Sequence, residues 1–294
     1  MTEEDNSRVL ALLIPVQITL HRYLGRLGTR AVAYGSVLHA PGSKGREALA
    51  LLLQTYTRQA DRRTLFTELR NLSNMEAAQP ILQEYGFQYE DHLNYLIDLK
   101  RPPAAILQDI GSRTRKHIRR GLRRGEVVVE EVTEQKQVAA CYALLSQSYQ
   151  AAQVPLADIS LFEAAFDILF PKDMVRFTLA YVDQVPVATS VELLYKDTVY
   201  GWYGGIDRDY GSYMPNELLT WHILKWSAQN GYQLYDFGGA GKPDEEYGVR
   251  DFKAKFGGDL VCYGRNTYVH DPLLLRLSQW GYAAVRRLHL FGQS

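Results

Sequence analysis

The 294-residue chain is poor in cysteine, balanced in charge and without an uninterrupted apolar run of membrane length. Two cysteines, Cys141 and Cys262, exclude a disulfide scaffold and fit a reducing compartment. Lys plus Arg number 33 and so do Asp plus Glu, so a polyanionic partner would need a local basic patch. Residues 9–20 are apolar but interrupted by Pro15, Gln17 and Thr19, which makes them too short and too polar for a membrane span. The acidic start Glu3-Glu4-Asp5 does not suit a signal peptide. Seven scattered histidines form no Ser-His-Asp or Cys-His arrangement, so a covalent acyl-enzyme is not expected. No Cys/His cluster has metal-ligand spacing, so no metal is expected either. A cytoplasmic, soluble protein is predicted.

What is present is a globular composition, 46% hydrophobic, in a chain long enough for two domains. Strand and helix patterns alternate along it. Strands are predicted over 9–21 and 29–38, a helix over 44–59, a strand over 64–69, a helix over 75–85 and a strand over 93–99. Pro102-Pro103 open a long helix that Gly125 stops. A strand over 127–132, helices over 134–151 and 160–170, and a meander of strands over 175–182, 187–195 and 198–206 follow. Helix 216–230, strand 233–237, helix 245–256, strand 260–269 and helix 272–290 complete the chain. Adding 170 to early residue numbers brings landmarks together: Gly35 with Gly205, Glu47 with Glu217, Leu65 with Tyr235, and Gly86 with Gly257 after one insertion. This near-constant offset predicts an internal duplication. The expected domains are 1–125, a partial first copy lacking an opening strand and helix pair, and 126–270, a complete second copy. A last helix over 271–294 is expected to pack back on the first domain.

The densest chemistry lies between Tyr200 and Gly258. On a helix, Phe252 and Phe256 share one face and Lys253 projects about a quarter-turn away, as a cation beside a reaction centre or as a solvated lysine. Alternation places Tyr200 and Trp202 on one face of their strand and Tyr203 on the other, either packing against helices or lining a cleft. Asp236 ends a strand just before Gly238-Gly239, where open sheets present ligand-binding groups, and could instead cap the loop. The segment Ser112–Gly125 carries Arg113, Arg115, Lys116, Arg119, Arg120, Arg123 and Arg124 and no acid. Such a helix suits phosphates, or is a solvated face paired with acids such as Glu130 and Glu131.

From residue 127 onward the element order is that of the GNAT N-acyltransferase fold. The predicted class is therefore α/β, two tandem GNAT-like units with the first N-terminally incomplete. Two such units, the Tyr-rich strand, the Tyr235-Asp236-Phe237-Gly238-Gly239 strand end and the Phe252-Lys253 pair together resemble the Fem family of peptidoglycan-bridge aminoacyltransferases. The resemblance implies an enzyme moving an amino acid from aminoacyl-tRNA to an amine of a peptidoglycan precursor stem peptide, nucleotide- or lipid-linked, without a cofactor. It implies Lys253 and Phe252 at the tetrahedral intermediate and the leaving tRNA end; Asp236, from its place at the strand end, is read as holding the amine or helping to take its proton. Tyr203 falls at the acceptor cleft, and Trp202, Gly204, Gly205, Asn216, Gly238 and Gly239 are read as substrate-binding with it. Arg115, Lys116, Arg119, Arg120 and Arg123 are read as binding tRNA or precursor phosphates, a role that the resemblance supports for the helix without assigning each residue. Peripheral contact with the inner membrane face goes with a lipid-linked acceptor. Two alternatives stand beside this. One is an acyl-CoA-dependent GNAT enzyme, for which Tyr213 in the turn Arg208–Tyr213 crowds the pyrophosphate position. The other is a non-enzymatic protein binding tRNA or a membrane surface through the basic and final helices.

Overall fold

The computed structural model describes residues 8–19, 22–60 and 64–291. The chain divides into two compact units, residues 1–92 with 262–294, and residues 93–261. In chain order the elements are β1 (Ala11–Leu13), β2 (Val16–Thr19), β3 (Thr29–Tyr34), β4 (Val37–His39), α1 (Ser43–Ala60), β5 (Phe66–Arg70), α2 (Gln79–Glu84) and β6 (Gln88–Glu90). The second unit follows with β7 (Leu93–Asp98), α3 (Pro103–Asp109), α4 (Ser112–Arg124), β8 (Val127–Glu131), α5 (Val138–Ala151) and α6 (Ile159–Leu169). It continues through β9 (Val175–Val182), β10 (Val185–Tyr195), β11 (Thr198–Ile206), α7 (Pro215–Gln229), β12 (Leu234–Gly239), α8 (Gly248–Ala254) and β13 (Asp259–Cys262). The chain then returns to the first unit with β14 (Arg265–Val269) and α9 (Pro272–Phe291).

The second unit is a seven-stranded sheet ordered β13-β7-β12-β11-β10-β9-β8. Its meander β8 to β11 is antiparallel, and Asp183 and Gln184, both at positive φ, make the two-residue turn between β9 and β10. Helix α7 packs over this sheet and is apolar around most of its circumference, burying Leu218, Leu219, Trp221, Ile223 and Leu224 with Tyr235, Phe237 and Phe256. The first unit is a five-stranded sheet, β2-β3-β5-β14-β6, beside a small β1-β4 ladder, with Leu49, Leu53, Leu69, Leu82 and Phe87 in its core.

The boundary predicted at residue 125 is replaced by one at residue 92 because of how the chain pairs. Strand β7, which follows β6 of the first unit, is hydrogen-bonded to β12 in the second sheet. Strand β14, which follows β13, inserts between β5 and β6 in the first. Pattern alone cannot reveal such an exchange, because both strands carry the alternation of an ordinary local partner.

Several predicted elements are interrupted where backbone chemistry intervenes. The single strand over 9–21 breaks at Ile14-Pro15, since proline donates no ladder hydrogen bond. The helix expected from Pro102 to Arg124 is two, because Ile110 is extended and the Gly111 amide leaves the helix to donate to the Lys255 carbonyl (2.9 Å). The strand over 260–269 turns at Gly264, at φ +70°.

In both units a parallel strand pair sits at the centre with the same register. Ala31 lies opposite Thr67 in β3–β5 and Thr198 opposite Leu234 in β11–β12, 36 residues apart in each case. Asn266 opposite Leu69 likewise matches Asn94 opposite Gly239. The shared register supports the duplication read from the 170-residue offset. The units then differ in one respect that matters. Residues 31–34 and 67–70 are paired, whereas in the second unit pairing stops at Tyr200 and Asp236. Strand β11 continues to Ile206 and β12 to Gly239 without meeting again. The segments corresponding to the zipped part of the first sheet are the ones that splay in the second.

Candidate active site

Glycines let the two strands stay close where their ladder ends. Gly201 is the first residue of β11 past the ladder, and a Cβ there would meet the Tyr235 hydroxyl at 3.0 Å and the Asp236 and Phe237 carbonyls at 3.5 Å. Gly238 sits at φ +69°, with the Gly201 carbonyl 2.9 Å from where its Cβ would be. The left-handed conformation and the close approach both require glycine there. The turn at Gly238 directs its amide back onto Asp236 Oδ1 (2.7 Å) and shifts the β12–β7 register between Asp236 and Gly239.

Asp236 is buried, and the Asn94 side-chain amide donates to both its oxygens (3.0 and 3.2 Å). Burial pushes its carboxyl above the usual range, while the Gly238 amide, Asn94 and the Lys253 charge pull it back down. Lys253 enters from α8. Its buried ammonium donates to the carbonyls of Phe237 (2.6 Å), Gly238 (3.2 Å) and Gly239 (2.7 Å) at the open end of β12. The side chain is therefore not a solvated lysine. Phe252 fixes the helix by packing edge-to-face on Phe256 (5.2 Å between ring centroids), which itself packs on Phe237 (5.7 Å). Lys255 is exposed and lies 5.5 Å over the Phe252 ring.

The structure thus brings Asp236, Gly238, Gly239, Phe252 and Lys253 together. It places Trp202 and Tyr203 differently from the alternation argument. Val191 pairs with Tyr203 and Glu192 with Gly201, so Trp202 is the extra residue of a β-bulge. The extra residue breaks the two-residue period, and both rings reach Phe162 of α6, Tyr203 at 4.8 Å and Trp202 at 5.9 Å. Gly205 lies under α5, where a Cβ would stand 2.6 Å from the Leu144 carbonyl, and Gly204 is exposed. Asn216 is half-buried in the first turn of α7.

Beneath the bulge lies a group that sequence reasoning passed over. Glu192 is fully buried, and its Oε1 accepts from the Ser190 hydroxyl while Oε2 has no hydrogen-bond partner among the described residues. Burial raises its carboxyl to about 8, against the smaller opposing effects of Ser190 and Arg176. Arg176, opposite it on β9, is also buried, pairs with Glu131 (3.1 Å) and lies 3.8 Å over Trp226. The Asn94 partnership with Asp236 was equally unforeseen; the only signal was a polar residue within an otherwise apolar strand.

Helix α4 starts at the end of α8, through the Gly111–Lys255 bond. Along it runs a groove of about 570 Å³ lined by Ser112, Arg115, Lys116, Arg119, Leu122 and Arg123. Arg115 turns inward, donating to the carbonyls of Gln108 and Ile110 at the end of α3. Arg120 reaches the Met214 sulfur (3.8 Å), and Arg124 pairs with Glu126 (3.6 Å). Lys116, Arg119 and Arg123 are exposed without a carboxylate partner among the described residues, so the expected pairing with Glu130 and Glu131 does not form.

The turn where a CoA enzyme would cradle pyrophosphate is occupied differently. Asp207 accepts from the Asp209 amide (3.0 Å), the Met214 amide bonds to Gly211, and Glu217 stands in the first turn of α7. Glu217, a carboxylate at the α7 N-terminus, opposes an incoming polyphosphate there.

The GNAT acetyltransferase domain family matches residues 112–253, from the start of α4 to Lys253. Among solved structures, the crystal structure of FemX superimposes with a TM-score of 0.67 at 15% identity, covering 94% of this chain and 89% of that one. The C-terminal domain of a putative lysylphosphatidylglycerol synthetase from Agrobacterium fabrum gives 0.58 at 17% identity, covering 95% and 85%. Lipid II:glycine glycyltransferase of Staphylococcus haemolyticus is 34% identical over 62 residues, 20% of this chain. That match spans 15% of the length of the relative. The chain has a tandem GNAT-type α/β architecture, and its likenesses are to Fem-type proteins.

Proposed function

We propose that the chain is an aminoacyltransferase that moves an amino acid from aminoacyl-tRNA onto an amine of a peptidoglycan precursor stem peptide. The observation that carries this reading is the buried ammonium of Lys253 at the open end of β12, in the one parallel pair of the two that splays. The attacking amine must be neutral. As it attacks the ester carbonyl, the C–N bond forms, the carbonyl oxygen takes up negative charge, and the C–O bond to the ribose then breaks. Of the three Lys253 bonds, the one to Gly239 is the least buried, and it is the one an oxyanion would exchange with. On this reading Asp236, held by Asn94 and the Gly238 amide, takes the proton of the attacking amine and returns it to the ribose oxygen as that group leaves. Tyr203 and Trp202 face the acceptor from the α5/α6 side.

Two features favour a tRNA donor over an acyl-CoA. The carboxylate of Glu217 in the first turn of α7 disfavours a pyrophosphate at that helix N-terminus. Lys116, Arg119 and Arg123 form a cationic stripe with no carboxylate partner among the described residues, on a helix that begins at the end of α8, so a phosphate backbone lying on it leads toward Lys253. A relative named for glycyl transfer to lipid II supports a cell-wall acceptor. The test is transfer of labelled amino acid from a mixture of charged tRNAs to nucleotide- and lipid-linked stem peptides, with acetyl-CoA in parallel. Transfer from tRNA supports the reading; acetyl transfer with no aminoacyl transfer overturns it.

A further inference from the structure

Helix α9 presents an apolar stripe that the transfer reaction does not use. Leu273, Leu277 and Trp280 are 72%, 55% and 72% exposed and stand at i, i+4 and i+7, one above the other on a single helix face. Three large apolar side chains so spaced are not the scattered exposed leucines of an ordinary surface. The opposite face is fastened to its own unit. The Ser278 hydroxyl donates to the Leu27 carbonyl (2.8 Å), and Asp271, just before the helix, pairs with Arg26 (3.5 Å) while its Oδ1 caps the Leu274 amide (3.0 Å). The stripe is therefore held facing outward.

Charge complementarity identifies the occupant. The twenty residues of α9 include Arg276, Arg286 and Arg287 and no Asp or Glu, although the chain as a whole is neutral. Arg276 is exposed beside Leu277 and Leu273. Leucines and a tryptophan flanked by arginine, with no acid, match the boundary between the headgroups and acyl chains of an anionic bilayer. A helix of this length extends about 30 Å, yet among the described residues no helix is long and apolar enough to cross a membrane. It would lie on the surface, not span it.

We infer that α9 docks the protein on anionic phospholipid membranes through Leu273, Leu277 and Trp280, with Arg276 among the headgroups. This goes beyond the transfer reaction and stands whichever acyl donor is used. The experiment is co-sedimentation of the full chain with phosphatidylcholine vesicles with and without phosphatidylglycerol. Binding is expected only when phosphatidylglycerol is present, and Leu273→Ser and Leu277→Ser should each weaken it about tenfold, since each leucine loses the burial of an apolar side chain. These positions are exposed, so both variants should melt with the parent, and Trp280→Phe should abolish any blue shift of tryptophan emission caused by the vesicles. Failure of the parent chain to bind, equal binding to neutral vesicles, or unchanged binding by both leucine variants overturns the inference. So does a solution dimer that the same substitutions dissolve in the absence of vesicle binding.

Discussion

Replacing Lys253 by methionine should do two separable things. The side chain keeps its approximate length and apolar contacts, but the carbonyls of Phe237, Gly238 and Gly239 lose a cationic donor. Gly239 is half-buried and can be rehydrated, whereas Phe237 and Gly238 are buried. A buried polar group left unpaired costs about 1–3 kcal/mol. Removing a buried ammonium returns part of its desolvation penalty. The net loss should be about 2–4 kcal/mol, and a unit of this size shifts by about 2–4 °C per kcal/mol. The melting temperature of the second unit should fall by roughly 5–15 °C, read by circular dichroism. Aminoacyl transfer, measured in single turnover where the variant is still fully folded, should fall at least about 100-fold, as when other oxyanion stabilisers are removed. A melting temperature within a degree of the parent would show that the three bonds do not form in solution. Unchanged turnover in a destabilised variant would leave the lysine a structural clamp and remove it from the reaction.

Further predictions concern the sheet and the basic helix. Glu192 titrates in the folded chain near 8, well above its ordinary value near 4.5, so its protonated form stabilises the fold fully below pH 4.5 and that stabilisation is lost as pH rises to 8. Glu192→Gln stays neutral throughout and should match the parent at pH 4 but be more stable at pH 8.5; parallel denaturant curves at the two pH values would refute this. Gly205→Ala drives a methyl to 2.6 Å from the Leu144 carbonyl, a backbone atom of α5, and should cost about 1–3 kcal/mol in a urea melt. Changing Lys116, Arg119 and Arg123 together to Glu should weaken charged-tRNA binding and flatten its salt dependence by up to about three units of slope; an unchanged slope would remove α4 from the donor site.

Local signals carried much of this fold. The strands of the meander were legible because their apolar alternation ends in short turn sequences, and α7 because Pro215 opens it and Gly231 follows it. The Phe252-Lys253 pair and the Asp236–Gly239 strand end were legible as motifs. Their meeting was not, because it depends on Gly238 turning its amide onto Asp236 and baring the carbonyls that Lys253 takes. Arg115 read as a phosphate ligand because nothing in the sequence shows that α3 ends at Asp109 with carbonyls in need of a donor. Trp202 and Tyr203 were misplaced by one bulged residue, and Glu192 escaped notice because a single acid in a strand pattern ordinarily marks a solvated edge.

The crossing of β7 and β14 has a consequence for the order in which the chain matures. As the polypeptide leaves the ribosome, residues 1–92 are made first, yet their sheet lacks the strand between β5 and β6 until residue 269 has been synthesised. Residues 93–261 hold nearly all their own strands in one continuous stretch and can settle before that. The half born first is thus finished last, and until then it exposes two unpartnered edges that a chaperone or a neighbouring nascent chain could seize.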